Sequence, residues 1–204
     1  MILIYDYGIG NTGSIKNMIK KIGLDSKVSS DVSMVSKAKF CIIPGVGSFD
    51  ACITQFNKQE SSELLLQRIS SGLKTLGICV GMQMLFEKSE EGSLEGLNLI
   101  PGEVKKFNSF NSEFKNKMPH MSWNFVTRNN EDLTYEDFDE NPKFYFVHSY
   151  HAVCSDEYIS GYAEYGHQFP ASVRKDNIYG VQFHPEKSHI YGMNLLKSFF
   201  KNAS

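Results

Sequence analysis

A cysteine with a glycine two residues to either side, at the end of an apolar run, leaves a chain few ways to fold. The run is Leu73 to Ile78, and the motif is Gly77-Ile78-Cys79-Val80-Gly81. A strand that turns sharply into a helix needs this spacing, and the turn pushes the middle side chain outward on strained backbone. Far downstream, Val181-Gln182-Phe183 reads as a strand that leads into His184-Pro185-Glu186. Residues two apart in an extended chain share a face. The Glu186 carboxylate can then orient the His184 imidazole, which can take a thiol proton. Pro185 fixes the backbone between them. Nucleophile, base and orienting group are all present. A free cysteine is more often a small buried apolar residue. The flanking glycines and the preceding strand are what move Cys79 toward catalysis. The thiolate is the competent nucleophile, and the helix N-terminus expected just beyond it should stabilise it.

Strands and helices alternate through the first half. Ile2 to Tyr5, Phe40 to Ile43 and Thr75 to Ile78 read as buried strands. Asn11 to Ile22 carries Ile15, Met18, Ile19 and Ile22 at helical spacing. Helices are also predicted from Ser48, over Glu63 to Ile69, and from Gly81 to Glu87. This alternation implies a parallel sheet flanked by helices. Further strands are predicted at Glu103 to Phe107, Phe125 to Arg128, Phe144 to Val147, Tyr162 to Tyr165, Ala171 to Arg174 and Ile178 to Phe183, several of them antiparallel. Asn129 to Asn141 is acidic and reads as a surface excursion. A helix over about Tyr191 to Lys201 closes the chain. The expectation is one mixed, mostly parallel α/β domain over residues 1–204.

Charge and cysteine usage exclude several classes. A net charge of -2 offers no electrostatic case for nucleic acid or a membrane surface. No segment approaches the roughly 20 apolar residues of a membrane helix, and the start of the chain reads as a strand, not a leader. Cys41, Cys52, Cys79 and Cys154 form no CxxC pair. No metal site and no cofactor are therefore expected, and a reducing cytoplasm is the simplest compartment.

Two glycine motifs remain. Pro44-Gly45-Val46-Gly47 follows a strand, and its peptide planes can turn N–H groups toward a developing negative charge. The Val80 N–H, next after the nucleophile, is the natural second donor. Gly8-Ile9-Gly10-Asn11-Thr12-Gly13 matches a dinucleotide fingerprint, with Asp31 near the ribose-binding spacing. It reads as a decoy: Asp31 follows a polar Ser29-Ser30 pair, and no hydride-transfer constellation accompanies it. His120, His148, His151, His167 and His189 lack a partner in sequence and read as structural or surface residues, His148 being the least settled.

Gly77 to Gln83 and His184-Pro185-Glu186 resemble class I (triad) glutamine amidotransferases, whose architecture is flavodoxin-like. More narrowly, Tyr5 to Asn11, Pro44 to Phe49, Gly96 to Glu103, Pro119 to Asn124, Phe146 to Tyr150 and Gly180 to Ser188 resemble the glutaminase subunits of imidazole glycerol phosphate synthases, nearly end to end. The resemblance implies that Cys79 attacks the glutamine side-chain amide, with His184 and Glu186 completing the triad. It implies oxyanion contacts from Val46, Gly47 and Val80. Gln83, Glu91, Ser149 and Tyr150 match positions that hold glutamine, and Glu91 suits the substrate ammonium. The implied partner is a (β/α)₈-barrel cyclase that receives the ammonia in histidine biosynthesis, with Asn11, Trp123, Asn124 and Lys187 at or near the interface. Trp123 is the chain's one tryptophan, and the residues alone favour core burial for it. Ser122 stands where the family usually has glycine, and Thr12-Gly13 where it has a larger pair. Both fall near the expected interface. The alternative is a paralogous glutaminase that feeds a sugar-amidinating synthase of surface polysaccharide or flagellin glycan.

Overall fold

The computed structural model describes residues 1–107, 118–129, 138 and 142–201. The chain runs β1 (Ile2–Tyr5), α1 (Thr12–Lys21), β2 (Ser26–Ser29), α2 (Val32–Lys37), β3 (Phe40–Gly45), α3 (Phe49–Asn57), α4 (Ser62–Ser70), β4 (Lys74–Cys79) and α5 (Val80–Gln83). It continues through β5 (Lys88–Ser89), β6 (Glu103–Lys106), β7 (His120–Phe125), β8 (Thr127–Arg128), β9 (Lys143–His148) and β10 (Tyr150–Val153). It ends with β11 (Ile159–Glu164), β12 (Gln168–Lys175), β13 (Ile178–Val181) and α6 (His189–Lys201).

An eight-stranded sheet, ordered β2-β1-β3-β4-β13-β12-β11-β8, carries the fold. Its first five strands are parallel. The rest pair antiparallel. That is the expected mixed sheet with a flavodoxin-like parallel part. β1 and β3 are buried along their whole lengths, as continuous apolar runs covered on both faces should be. Helix α1 turns Ile15, Met18 and Ile19 inward. It packs against α6, and α2 packs against α4. Two small sheets, β10-β6-β5 and β7-β9, stand beside the main one.

The structure departs from the sequence reading in five places. Ser26–Ser29 is a strand despite its polarity. It lies at the sheet edge, where pairing with β1 and not side-chain burial defines it. The acid that follows, Asp31, is the N-cap residue of α2. The helix after Cys79 stops at Gln83, because Met84, Leu85 and Phe86 give their carbonyls to Leu97, Leu99 and Asn98. The strand predicted at Phe125 to Arg128 splits at Val126, which is buried and bonds to the Pro142 carbonyl. The last strand ends at Val181, and Pro185–Lys187 form a 3₁₀ turn. Proline at the first helical position favours that turn over extension. Trp123 is 37% exposed, not in the core. It stacks on His189, with ring centroids 5.5 Å apart. The acidic segment 129–141 falls almost wholly outside the described residues.

Candidate active site

Three parallel strands deliver the site at their carboxyl ends, where open α/β sheets bind ligands. β4 ends on Cys79, which adopts φ 56° and ψ −114°. Strain of this kind on a residue with a Cβ costs about 1–3 kcal/mol and persists only where the surroundings impose it. Here the surroundings are glycine contacts. A Cβ on Gly77 would lie 2.5 Å from the Gly81 carbonyl oxygen, and one on Gly81 would lie 2.0 Å from that of Ile43. The expected elbow is present, and its glycines are there for close approach.

β13 leads to His184, whose Nδ1 lies 2.8 Å from Glu186 Oε1. Both side chains are almost fully buried. The 3₁₀ turn, and not an extended chain, folds the carboxylate back onto the ring. Burial alone would lower the His184 pKa, but the Cys79 sulfur and the Glu186 carboxylate outweigh it and raise it to about 10. The charged imidazolium is the state of His184 that this favours. His184 Nε2 is buried, and with Nδ1 spent on Glu186 it is the ring nitrogen left to interact with the Cys79 side chain. It is free to exchange a proton with an incoming group.

β3 ends in the Pro44-Gly45-Val46-Gly47 loop, tied from beneath. Tyr7 donates its hydroxyl to the Pro44 carbonyl. Cys52 donates to the Val46 carbonyl at 3.4 Å. With that carbonyl turned toward α3, the trans peptide turns the Gly47 N–H the other way. Neither tie was foreseen from the sequence. The loop's packing also explains the fingerprint decoy: a Cβ on Gly10 would lie 2.7 Å from Pro44 Cγ.

Val46, Gly47, Cys79, Val80 and His184 line one cavity of about 290 Å³, together with Gln83, Glu91, Ser149, Tyr150 and Lys187. Glu91 Oε2 accepts the Phe49 N–H at 2.8 Å, at the first residue of α3. Gln83 spends its amide N–H groups on the Tyr150 carbonyl (3.1 Å) and Gln182 Oε1 (3.0 Å). Its own oxygen is left as an acceptor. Gln182 was missed in sequence, although it is a polar residue two positions before His184, buried just past the end of β13. His148 also lines the cavity. Its Nδ1 lies 2.8 Å from the Tyr150 carbonyl and so carries a proton. Burial pushes its pKa down to about 3, so the ring is neutral. Its Nε2 therefore accepts from His120 Nδ1 at 2.9 Å.

Of the residues expected at a partner interface, Lys187 lines the cavity itself. Asn11 Nδ2 donates to Glu186 Oε1 at 3.4 Å. Lys187 sits 5.8 Å from the Tyr145 ring centroid, and Tyr145 meets Trp123 edge-on. Asn124 Nδ2 donates to the Glu164 carbonyl at 2.7 Å. Met121, Trp123 and Phe125 are exposed on one face of β7, near the exposed Ile190 and Tyr191 of α6.

The family described as "Glutamine amidotransferase class-I" matches residues 3–203. Among similar proteins is the imidazole glycerol phosphate synthase subunit HisH 2 of Methanococcus maripaludis, 47% identical over the full length of both chains. The HisH subunit of Sulfurimonas denitrificans is 42% identical over 98% of each chain. Among solved structures, PurLQS from Thermotoga maritima superposes with a TM-score of 0.76 at 16% identity, covering 100% of this chain and 98% of that one. A glutamine amidotransferase crystal structure gives 0.75 at 17% identity, covering 99% and 98%. At these identities the structural likeness speaks for the fold.

Proposed function

Because this chain belongs to the class-I glutamine amidotransferases, we propose that it is the glutaminase subunit of an imidazole glycerol phosphate synthase. It hydrolyses glutamine and hands the ammonia to a (β/α)₈ cyclase partner in histidine biosynthesis. The observation that carries this reading is Cys79 on a strained elbow, sharing one cavity with a His184 that is paired to Glu186. Full-length likeness to HisH subunits supports the pathway. The relatives' names give no support to a sugar-amidinating role.

The Cys79 thiolate attacks the side-chain amide carbon of glutamine. The oxyanion formed is met by N–H groups from Val46, Gly47 and Val80. Protonated His184 gives its proton to the departing nitrogen, which leaves as ammonia. Water, deprotonated by His184, then attacks the γ-glutamyl thioester and releases glutamate and the free thiolate. Glu186 keeps the imidazole oriented and favours its charged form. The free oxygens of Glu91 and Gln83 suit the substrate ammonium, and Ser149 and Tyr150 complete the wall. Lys187 on the cavity wall, Asn11 on Glu186 and the exposed apolar face of β7 with Trp123 and Asn124 support partner docking on this side of the molecule, where ammonia must be kept from water.

We take residues 1–204 as one catalytic domain, on the support of a continuous hydrophobic core among the described residues. Four free cysteines suit a reducing cytoplasm. The test is glutamate release by the chain, alone and with a histidine-pathway cyclase plus its nucleotide ligand. Activation that vanishes in Cys79→Ala supports the reading. Glutamate release that persists in Cys79→Ala removes it.

A further inference from the structure

Cys79 has fewer sources of anion stabilisation than its sequence suggests. Helix α5 spans four residues, too few to build the macrodipole of a full helix. His184 supplies one partner. The geometry of the buried amides supplies another.

The orientation of those amides is forced by a group that cannot be misassigned. The Tyr150 carbonyl only accepts. Gln83 must therefore present Nε2 to it, at 3.1 Å. The second hydrogen of the same nitrogen points to Gln182 and requires an acceptor there, Oε1 at 3.0 Å. That leaves Gln182 Nε2 facing Cys79 Sγ at 3.9 Å. Turning the Gln182 amide over would set two donors against each other on one side and an oxygen against the sulfur on the other. Gln182 is 0% exposed, so no solvent can relieve that clash. Sequence pattern cannot fix an amide's orientation. Here the chain of partners does.

We propose that Gln182 is a hydrogen-bond donor to the Cys79 thiolate, held in that orientation by Gln83 and the Tyr150 carbonyl. The inference deepens the glutaminase reading and rests on it for the reaction served. The contact acts on one ionisation state. A neutral thiol can give its proton to the Val147 carbonyl at 3.9 Å, whereas the thiolate can only accept, and Gln182 is an uncharged donor beside it. Bonds to charged groups are stronger than neutral ones. The titratable groups around Cys79 are His184 with Glu186 behind it, Glu91, His148, Tyr150 and Lys187 on the cavity wall, and Cys52 and Tyr7 beneath the loop. Gln182 differs from all of these in being a donor at every pH.

The experiment is the pH dependence of Cys79 alkylation by iodoacetamide, with Cys79→Ala as the blank for the other cysteines. Gln182→Met keeps volume and removes the donor. Gln182→Asn keeps a buried amide but falls one methylene short of the sulfur, and it carries the test if the Met variant fails to fold by circular dichroism. The expected result is an upward move of the alkylation midpoint by about one pH unit, a roughly tenfold loss of rate below the midpoint. KM for glutamine stays within about twofold. An unchanged midpoint in a folded variant overturns the proposal, even where glutamine hydrolysis is intact. Absence of Cys79-dependent glutamine hydrolysis in the unaltered chain mixed with the cyclase and its nucleotide ligand removes the glutaminase reading instead, and leaves the alkylation comparison standing.

Discussion

Nδ1 of His184 and Oε1 of Glu186 stand 2.8 Å apart on residues separated by a single proline. A 3₁₀ turn makes this possible. An extended segment would carry both side chains along the strand, whereas the turn folds the carboxylate back onto the ring and buries both. The pair thus acts as one charged unit facing Cys79.

Replacing Glu186 with glutamine keeps the shape and removes the charge that helps hold His184 above the ordinary histidine value of 6.5. The imidazolium should then lose its proton at lower pH, and kcat for glutamine hydrolysis should fall by about 10²–10⁴-fold. KM should change little. The linkage has a definite sign. Because the folded pKa is raised, the stability from this pairing is complete below pH 6.5 and is lost as pH rises toward about 10. An NMR titration of His184 in both chains, with steady-state kinetics, checks this. A Glu186→Gln enzyme with unaltered kcat would remove Glu186 from the machinery.

Acid should act through the histidines that burial keeps neutral. Burial pushes the pKa of His120 down to about 4 and that of His148 to about 3. In the unfolded chain both regain the ordinary 6.5. Between pH 6.5 and about 4 the unfolded state binds more protons, so stability falls as pH falls. Thermal melts across this window should show a progressive loss of Tm. A flat Tm would contradict neutral burial.

The elbow glycines set a steric limit. Gly81→Ala drives a Cβ to 2.0 Å from the Ile43 carbonyl oxygen, a backbone atom that cannot turn aside. The expected cost is about 3 kcal/mol or more. That corresponds to roughly 6–12 °C in Tm for a chain of this size. Calorimetry measures it directly, and a near-native Tm would mean that β3 and α5 can part without penalty.

Trp123 is the sole tryptophan and is 37% exposed. Its fluorescence should shift to the blue when the cyclase partner docks. Trp123→Ala should weaken docking by about 2 kcal/mol, some 30-fold. Tm of the isolated chain should hardly move. Isothermal titration measures the first and a melt the second. Unchanged affinity would place the partner elsewhere.

The site was legible where local geometry dictates it. Glycines at ±2 around Cys79 specify the elbow, and one residue of separation marks His184 and Glu186 as a pair, although the 3₁₀ turn that joins them was read as a strand. Trp123 and Gln182 were not legible. Exposure of an indole depends on which sheet β7 joins, and the residue pattern alone favoured the core. The role of Gln182 depends on Gln83, 99 positions away. The strand Ser26–Ser29 escaped because edge pairing can be satisfied by backbone alone, with no apolar pattern to betray it.

β13 enters the sheet between β4 and β12, so the second-to-last element in the chain completes its middle. During synthesis, the strand that bears Cys79 lacks its neighbour until Val181 has left the ribosome. His184 follows three residues later. A growing chain therefore carries Cys79 for a further 105 residues, from 79 to 184, before His184 is made, without a finished sheet. The cavity that Cys79 and His184 share can close only after β13 and the His184–Glu186 turn have been made.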